Sequence, residues 1–444
     1  MKSRLLLAIT LISHSVICQT LINPGSVSGF WSKLNSPYLV NGNVYIPQDS
    51  TLTIEAGAEV IFNNHYKFSI VGRLVAIGSS SDSICFTAAD SIIGWWGFRF
   101  IQSASSPDTS LLQYCIIKYG RATGGSSADD QNGGGLYING STRIVISQSS
   151  VTLNYADVYG GGIYCESNFA RFDSNYIGNN LSYNFGGGIS CRYSSPIFSN
   201  NIISNNTAYL LGGGGISLIS ASPMIINNFI CNNKGVRGGG IGCEDGSSPN
   251  IYGNIICNNT ADSPFSQGRG GGIHCSYSSN PRIINNTIAN NLCVETGGGI
   301  YCSNGSSPEL VNCIVHGNAA VTGGQTSIVD AGSTPSFENC IVDGGVALFE
   351  TNNNPYTGSY VNNLDTNPLF LASSSGTGIN YDGLAADWHF AGASPCLDAG
   401  KVNMTAYNLG PIDLLGNTRV QNSVIDIGAI EGASSLNGIL VANP

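Results

Sequence analysis

The sequence predicts an all-β solenoid whose coils of about 27 residues stack into one continuous body. Three observations carry this. Gly-Gly-Gly begins at Gly133, Gly160, Gly186, Gly213, Gly238, Gly270 and Gly297, so the spacings are 27, 26, 27, 25, 32 and 27 residues. After the last six triplets come Ile163, Ile189, Ile216, Ile241, Ile273 and Ile300, and two positions later Cys165, Cys191, Leu218, Cys243, Cys275 and Cys302. Asparagines recur in the same frame at Asn175, Asn201, Asn228, Asn254, Asn286, Asn312 and Asn339. A solenoid buries each coil only against its neighbours, so residues of one type are expected in register.

At the start of the chain, Lys2 and Arg4 precede a mostly apolar run, Leu5 to Ile17, which is too short to span a bilayer. This predicts a secretory signal over residues 1–18 and a mature chain beginning near Gln19. Lipidation of Cys18 is the alternative; the bulky Ile17 before it, where a lipoprotein signal carries a small residue, argues for ordinary cleavage. No later run suggests a transmembrane span. The expected address is secreted or outer cell surface.

Residues 19–120 read as introductory coils: Thr51-Leu-Thr-Ile54, Val60-Ile-Phe62, Phe68-Ser-Ile-Val71 and Ile84-Cys-Phe-Thr87 are short β-rich runs, with Pro47, Gly57, Gly72 and Gly78 at turns. Residues 121–361 hold the Gly/Asn-rich repeats. Between the isoleucine and cysteine columns the middle residue varies among Tyr164, Ser190, Ser217, Gly242, His274 and Tyr301, the mark of a strand with one buried face. Each interior isoleucine contributes roughly 2 kcal/mol. On this register Ile273→Asp costs several kcal/mol, and Tyr301→Ser, outward, costs little. The asparagines are expected to form a structural ladder of amides one strand spacing apart. A further column, Asn179, Asn205, Asn232, Asn258 and Asn290, continues as His316 and Asp343. Leucine-rich repeats share the period, but the leucine spacing is missing and no room remains for a helix.

The patterns Ser36-Pro-Tyr, Leu52-Thr-Ile54-Glu-Ala-Gly57, Gly72-Arg-Leu-Val-Ala76-Ile-Gly78 and Ile84-Cys-Phe86-Thr87 resemble the opening coils of right-handed parallel β-helix proteins of the pectin-lyase-like fold. Toward the C-terminus, Asp365-Thr-Asn-Pro368-Leu-Phe370, Asp387-Trp-His-Phe390, Ser394-Pro-Cys-Leu-Asp398-Ala-Gly400, Asp413 to Gly416, Arg419 and Asp426-Ile-Gly-Ala-Ile-Glu431 resemble the choice-of-anchor Q segment of surface or secreted proteins of the Bacteroidetes type. The resemblance implies that residues 362–432 cap the end of the helix, with Ile430 where that segment usually has tyrosine. Residues 433–444 then read as a linker, resembling the start of a truncated sorting tail.

Charged residues make up only 10% of the chain, and 27 acidic against 17 basic side chains give a net charge of −10. No basic stripe exists to release phosphate counterions, which argues against nucleic acid. Fourteen cysteines in an exported chain suggest disulfides. Stacked pairs such as Cys165 with Cys191, Cys231 with Cys257, Cys243 or Cys302 with Cys275, and Cys313 with Cys340 nevertheless point in parallel, so buried thiol stacks are expected. No metal motif occurs; Ca²⁺ is the one cofactor left open.

Glycan-cleaving β-helices need paired acids, or Ca²⁺ with a basic residue. Here the polygalacturonase-like set is missing: Asp129-Asp130 stands alone and His316-Gly317 has no acid pair. The Trp-x-Asp-His pattern of pectate lyases is missing too. His316 and Asp343 fall on adjacent coils and are the catalytic candidates, with a turn-ladder role as the alternative. Insertions gather between the Asn-Asn pairs and the next glycines, where Lys234, Arg237 and Arg269 are the ligand-binding candidates, or else charges paired with Asp262 or Glu244. As exposed cations they predict an acidic glycan and a small stability cost on removal. The leading expectation is a monomeric β-helix binding a polysaccharide or cell-surface glycan; the alternative is a polysaccharide lyase or glycoside hydrolase acting on acidic glycans.

Overall fold

The computed structural model describes residues 19–432 apart from 102–108, 126–127, 141–142, 263–267, 402, 408 and 421–422. The expected signal (1–18), the tail (433–444) and half of the longest loop (263–267 of 260–269) lie outside the described residues.

Each coil contributes one strand to each of three long parallel sheets of 13, 12 and 13 strands, and the central coils add a fourth, seven-stranded sheet. In one coil the strands are Ile163–Glu166 after the glycines, Arg171–Asp173 next, then Tyr176–Gly178, and finally Leu181–Ser182. They belong in turn to a Gly-side sheet (the 12-stranded one), a Pro-side and an Asn-side sheet (13 strands each) and the short seven-stranded sheet. Equivalent residues pair directly between coils: Ile163 with Ile189, Ile216, Ile241, Ile273 and Ile300 in succession, and Cys165 with Cys191. The isoleucine column is fully buried, as the register requires. All thirteen described cysteines are free thiols, twelve of them buried.

The glycine triplet has a two-part cause. Its first residue takes a positive φ, 65° at Gly160 and 66° at Gly186, which L side chains disfavour. At the third, a Cβ on Gly162 would stand 2.9 Å from Asn180 Nδ2, and on Gly188 2.9 Å from Asn206 Nδ2. The glycines therefore make room for an asparagine ladder that the repeat also contains one residue beyond the Asn179 column. Asn154, Asn180, Asn206, Asn233, Asn259, Asn291 and Asn318 are buried, and each passes its backbone N–H and Nδ2 to the Oδ1 of the next.

The expected ladder is present in part. Asn175, Asn201, Asn228, Asn254 and Asn286 are joined by Nδ2 to Oδ1 bonds of 2.9 to 3.0 Å. Asn312 and Asn339 are not its continuation. The interval after Asn286 is 27 rather than 26 residues, so the column passes to Cys313 and Cys340, where the Cys313 N–H donates to Cys340 Sγ at 3.3 Å. Asn312 and Asn339 instead share the left-handed corner of Asn200, Asn227 and Asn285. By the same one-residue offset His316 pairs with Ala289, and Gly317 takes the corner that follows Asn290.

The C-terminal segment starts on the last coil, where the Leu364 N–H donates to Cys340 O and the Val342 N–H donates to Leu364 O, but most of it does not stay at that end. It turns back along the flank, covering the outer faces of the Asn-side and Pro-side sheets. Trp388, Ala429 and Ile430 pack on Phe229, Cys231, Ile255 and Cys257, while Met404 and Tyr407 pack on Tyr252, Ile284 and Val311. Corner asparagines receive it: Asn232, Asn258 and Asn290 donate to Tyr381 O, Gly376 O and Ser374 O, and Asn285 and Asn312 donate to Asp426 O and Lys401 O. Asparagine tolerates the left-handed corner and adds an outward amide, and that amide fixes the flank. Inside the segment Arg419 and Glu431 form a buried pair at 3.3 Å, with burial pushing the Glu431 carboxyl up to about 8.

Candidate functional site

The insertion-rich edge runs along the short sheet to the residues before each triplet. Those residues fold over the Gly-side sheet and stack as bridges, Tyr159 with Phe185, Arg237 with Arg269, and Arg269 with Thr296. The outer face of that sheet is therefore covered, and the expectation that Tyr301 is exposed fails. Tyr301 is 2% exposed, its ring stacked on His274 at 4.9 Å with the Arg269 guanidinium 5.6 Å above it. His274 is equally buried; burial, then the charges of Arg237 and Arg269, push its imidazole down to about 3.

The candidate cations are all engaged. Lys234 Nζ meets Asp262 at 2.8 Å, Arg237 Nη1 meets Glu244 at 3.3 Å, and Arg269 lies on Tyr301. Glu244 is buried, and that burial raises its carboxyl above the usual range against the pull of Arg237. Arg237, itself partly exposed, is thus the partner of a buried acid, and its removal strands that acid instead of costing nearly nothing.

What the sequence reading missed on this edge is aromatic. Tyr183 and Tyr209, 45% and 40% exposed, stack with ring centroids 5.8 Å apart. Beside them Phe185 stacks on Tyr159 at 5.2 Å, and Tyr159 stacks on Tyr164 at 5.7 Å. Arg192 lies over both Tyr159 and the exposed Tyr193. The available signal was Tyr183 and Tyr209, which stand 26 residues apart in successive insertions.

His316 and Asp343 are brought together at the other flank, with Nδ1 3.7 Å from Oδ2. Asp343 also ends the second ladder: Asn318 donates to Gln325 Oε1, and Gln325 Nε2 donates to Asp343 Oδ2 at 3.1 Å. The amides of that ladder all point the same way, so their positive end faces the carboxylate. Burial lowers the His316 imidazole, opposed by Asp343 and then Asp365. His316 also lines a cleft of about 350 Å³ between the coil and the returning chain, shared with Asn290, Asn367, Leu369, Phe370 and Ser373 to Thr377. Nothing local in the sequence places residues 367–377 there, since the hydrogen bonds that tie them to the coil at Asn290 and Asn258 join residues 84 and 118 apart. Among the described residues no group of three or more His, Cys, Asp and Glu converges as metal ligands would, and no helix is long and apolar enough to cross a membrane.

A family model described as right handed beta helix region matches residues 75–256 and 211–381. No curated protein matches.

Proposed function

The chain belongs to the right-handed β-helix family, and from that premise we propose that it is an exported scaffold, secreted or on the outer cell surface, that binds glycans through the aromatic insertion edge. The fold alone is shared by binding proteins and enzymes, so the site has to carry the argument. One observation carries it: Tyr183 and Tyr209 stack in the open on successive coils, beside the Tyr159–Phe185 pair. Exposed tyrosines with little rotamer freedom present an apolar face and a polar rim, the two features a sugar ring offers in return. Because Lys234, Arg237 and Arg269 are engaged within the protein, stacking rather than free positive charge drives this binding. The apolar run after Lys2 and Arg4 supports export.

The test is an array of neutral and acidic glycans probed with the mature protein. Tyr183→Ala with Tyr209→Ala is expected to lower affinity about tenfold or more, at roughly 1–3 kcal/mol per aromatic platform, with urea unfolding nearly unchanged. Equal binding by variant and parent, or no binding by the parent, refutes the edge. The alternative, glycan cleavage, has His316 facing Asp343 in its favour. Incubation with uronic-acid polymers, with and without Ca²⁺, read by unsaturated-product absorbance and reducing ends, decides it.

A further inference from the structure

We propose that the cleft beside His316 is a second ligand site, which takes a single neutral sugar residue or a polyol of similar size. Its volume of about 350 Å³ lies at the small end of the roughly 300–1,000 Å³ typical of small-molecule sites, enough for one ring rather than an extended polymer. The lining has the mixed character such a ligand needs: hydroxyls at Ser373, Ser374, Ser375 and Thr377, amides at Asn290 and Asn367, and an apolar wall of Leu369 and Phe370.

The walls are fixed before any ligand arrives. Phe370 is held edge-on to Trp388 at 5.2 Å and stacked on Phe390 at 5.8 Å. Asn290 Nδ2 donates to Ser374 O at 2.9 Å and Ser374 Oγ at 2.7 Å, which ties the serine loop to the coil. Gly317 leaves the floor open, since a Cβ there would stand 2.5 Å from Asn290 Oδ1. Leu369 is held at φ 53°, a conformation unfavourable for a bulky side chain, by its N–H bond to Asn367 Oδ1. It is 39% exposed at the rim, and strain of this kind, on the order of 1–3 kcal/mol, concentrates at ligand clamps.

Charge selects the ligand class. Among the described residues no lysine or arginine lines the cleft, and Asp343 stands behind His316. An anion gains nothing there. The imidazole turns a shielded Nδ1 toward Asp343 without hydrogen-bonding it, and burial disfavours its charged form; a ring of this kind can exchange hydrogen bonds with a hydroxyl.

This inference extends the glycan-binding reading to a separate site, and its test is built to fail separately. Saturation-transfer NMR on the mature protein uses D-glucose, D-galactose, D-mannose and N-acetylglucosamine as probes, with D-galacturonate and glucose 6-phosphate as charged controls. Transfer to at least one neutral sugar is expected, and to neither anion. His316→Ala should weaken that binding about tenfold, and Ser375→Trp, at an exposed cleft residue, should abolish it without unfolding the chain. Tyr183→Ala with Tyr209→Ala should leave it unchanged. Absence of transfer to every neutral sugar at millimolar concentration, preference for an anion, or binding that survives Ser375→Trp overturns the site. Loss of array binding in the tyrosine variant alone concerns only the edge.

Discussion

Replacing Asn228 by alanine removes one rung from the first ladder without touching the surface. Its Nδ2 donates to Phe198 O and Ile226 O, each at 3.0 Å, and to Asn254 Oδ1 at 2.9 Å. Its Oδ1 accepts the backbone N–H and the Nδ2 of Asn201, each at 2.9 Å. Asn228 is wholly buried, so water cannot replace these partners. A typical bond contributes about 0.5–1.5 kcal/mol net, and a stranded buried group costs about 1–3 kcal/mol. The Asn201 N–H and the carbonyl of Phe198 are the groups most exposed to that loss. Asn228→Ala is therefore expected to cost about 3–5 kcal/mol. The control is Asn200→Gly, at an exposed corner with φ 56°, where glycine accepts the backbone and the cost stays within about 0.5 kcal/mol. Urea unfolding followed by circular dichroism separates them, the first by a midpoint shift on the order of 1 M or more. Equal midpoints for the two variants would refute the claim that the ladder stabilises the coils.

Tyr301→Ser is expected to cost about 3 kcal/mol or more, because it empties a covered position between His274 and Arg269; a loss under about 1 kcal/mol in urea unfolding would return Tyr301 to the surface. His274 supplies a pH test. Its folded pKa is pushed down to about 3 from the ordinary imidazole value of 6.5, so the unfolded chain takes up the proton first. Its contribution is present above 6.5 and lost as pH falls toward 3. His274→Phe, which keeps the stack on Tyr301, should lose less stability than the parent across that window. Parallel pH profiles for the two proteins would count against a neutral buried imidazole.

Repetition along the chain was enough to reveal the solenoid, its interior columns and the neighbouring of His316 with Asp343. Stacked coils make each residue the environment of its own counterpart one turn away, so the packing is written as repetition. The columns failed where two neighbouring positions carry the same residue type. Asn312 continued the count of 26 from Asn286, but the bond pattern continues at Cys313, and only the hydrogen bonds distinguish them. Tertiary structure decided the rest. Period two could show that Ile300 and Cys302 face inward, but whether Tyr301 meets water depended on the chain segments before the triplets, which fold over it. Likewise the ion-pair partners of Lys234 and Arg237 were nameable, while the burial of Glu244 was not. The largest departure is the C-terminal segment, which resembles a cap, begins on the last coil and then runs back along the flank. Its anchors join Asn227 to Asp413 and Asn285 to Asp426, 186 and 141 residues apart. No local periodicity encodes contacts at that separation: they arise from shape and amides meeting across the folded surface, as do the Asn290 and Asn258 bonds that hold the wall of the cleft at His316.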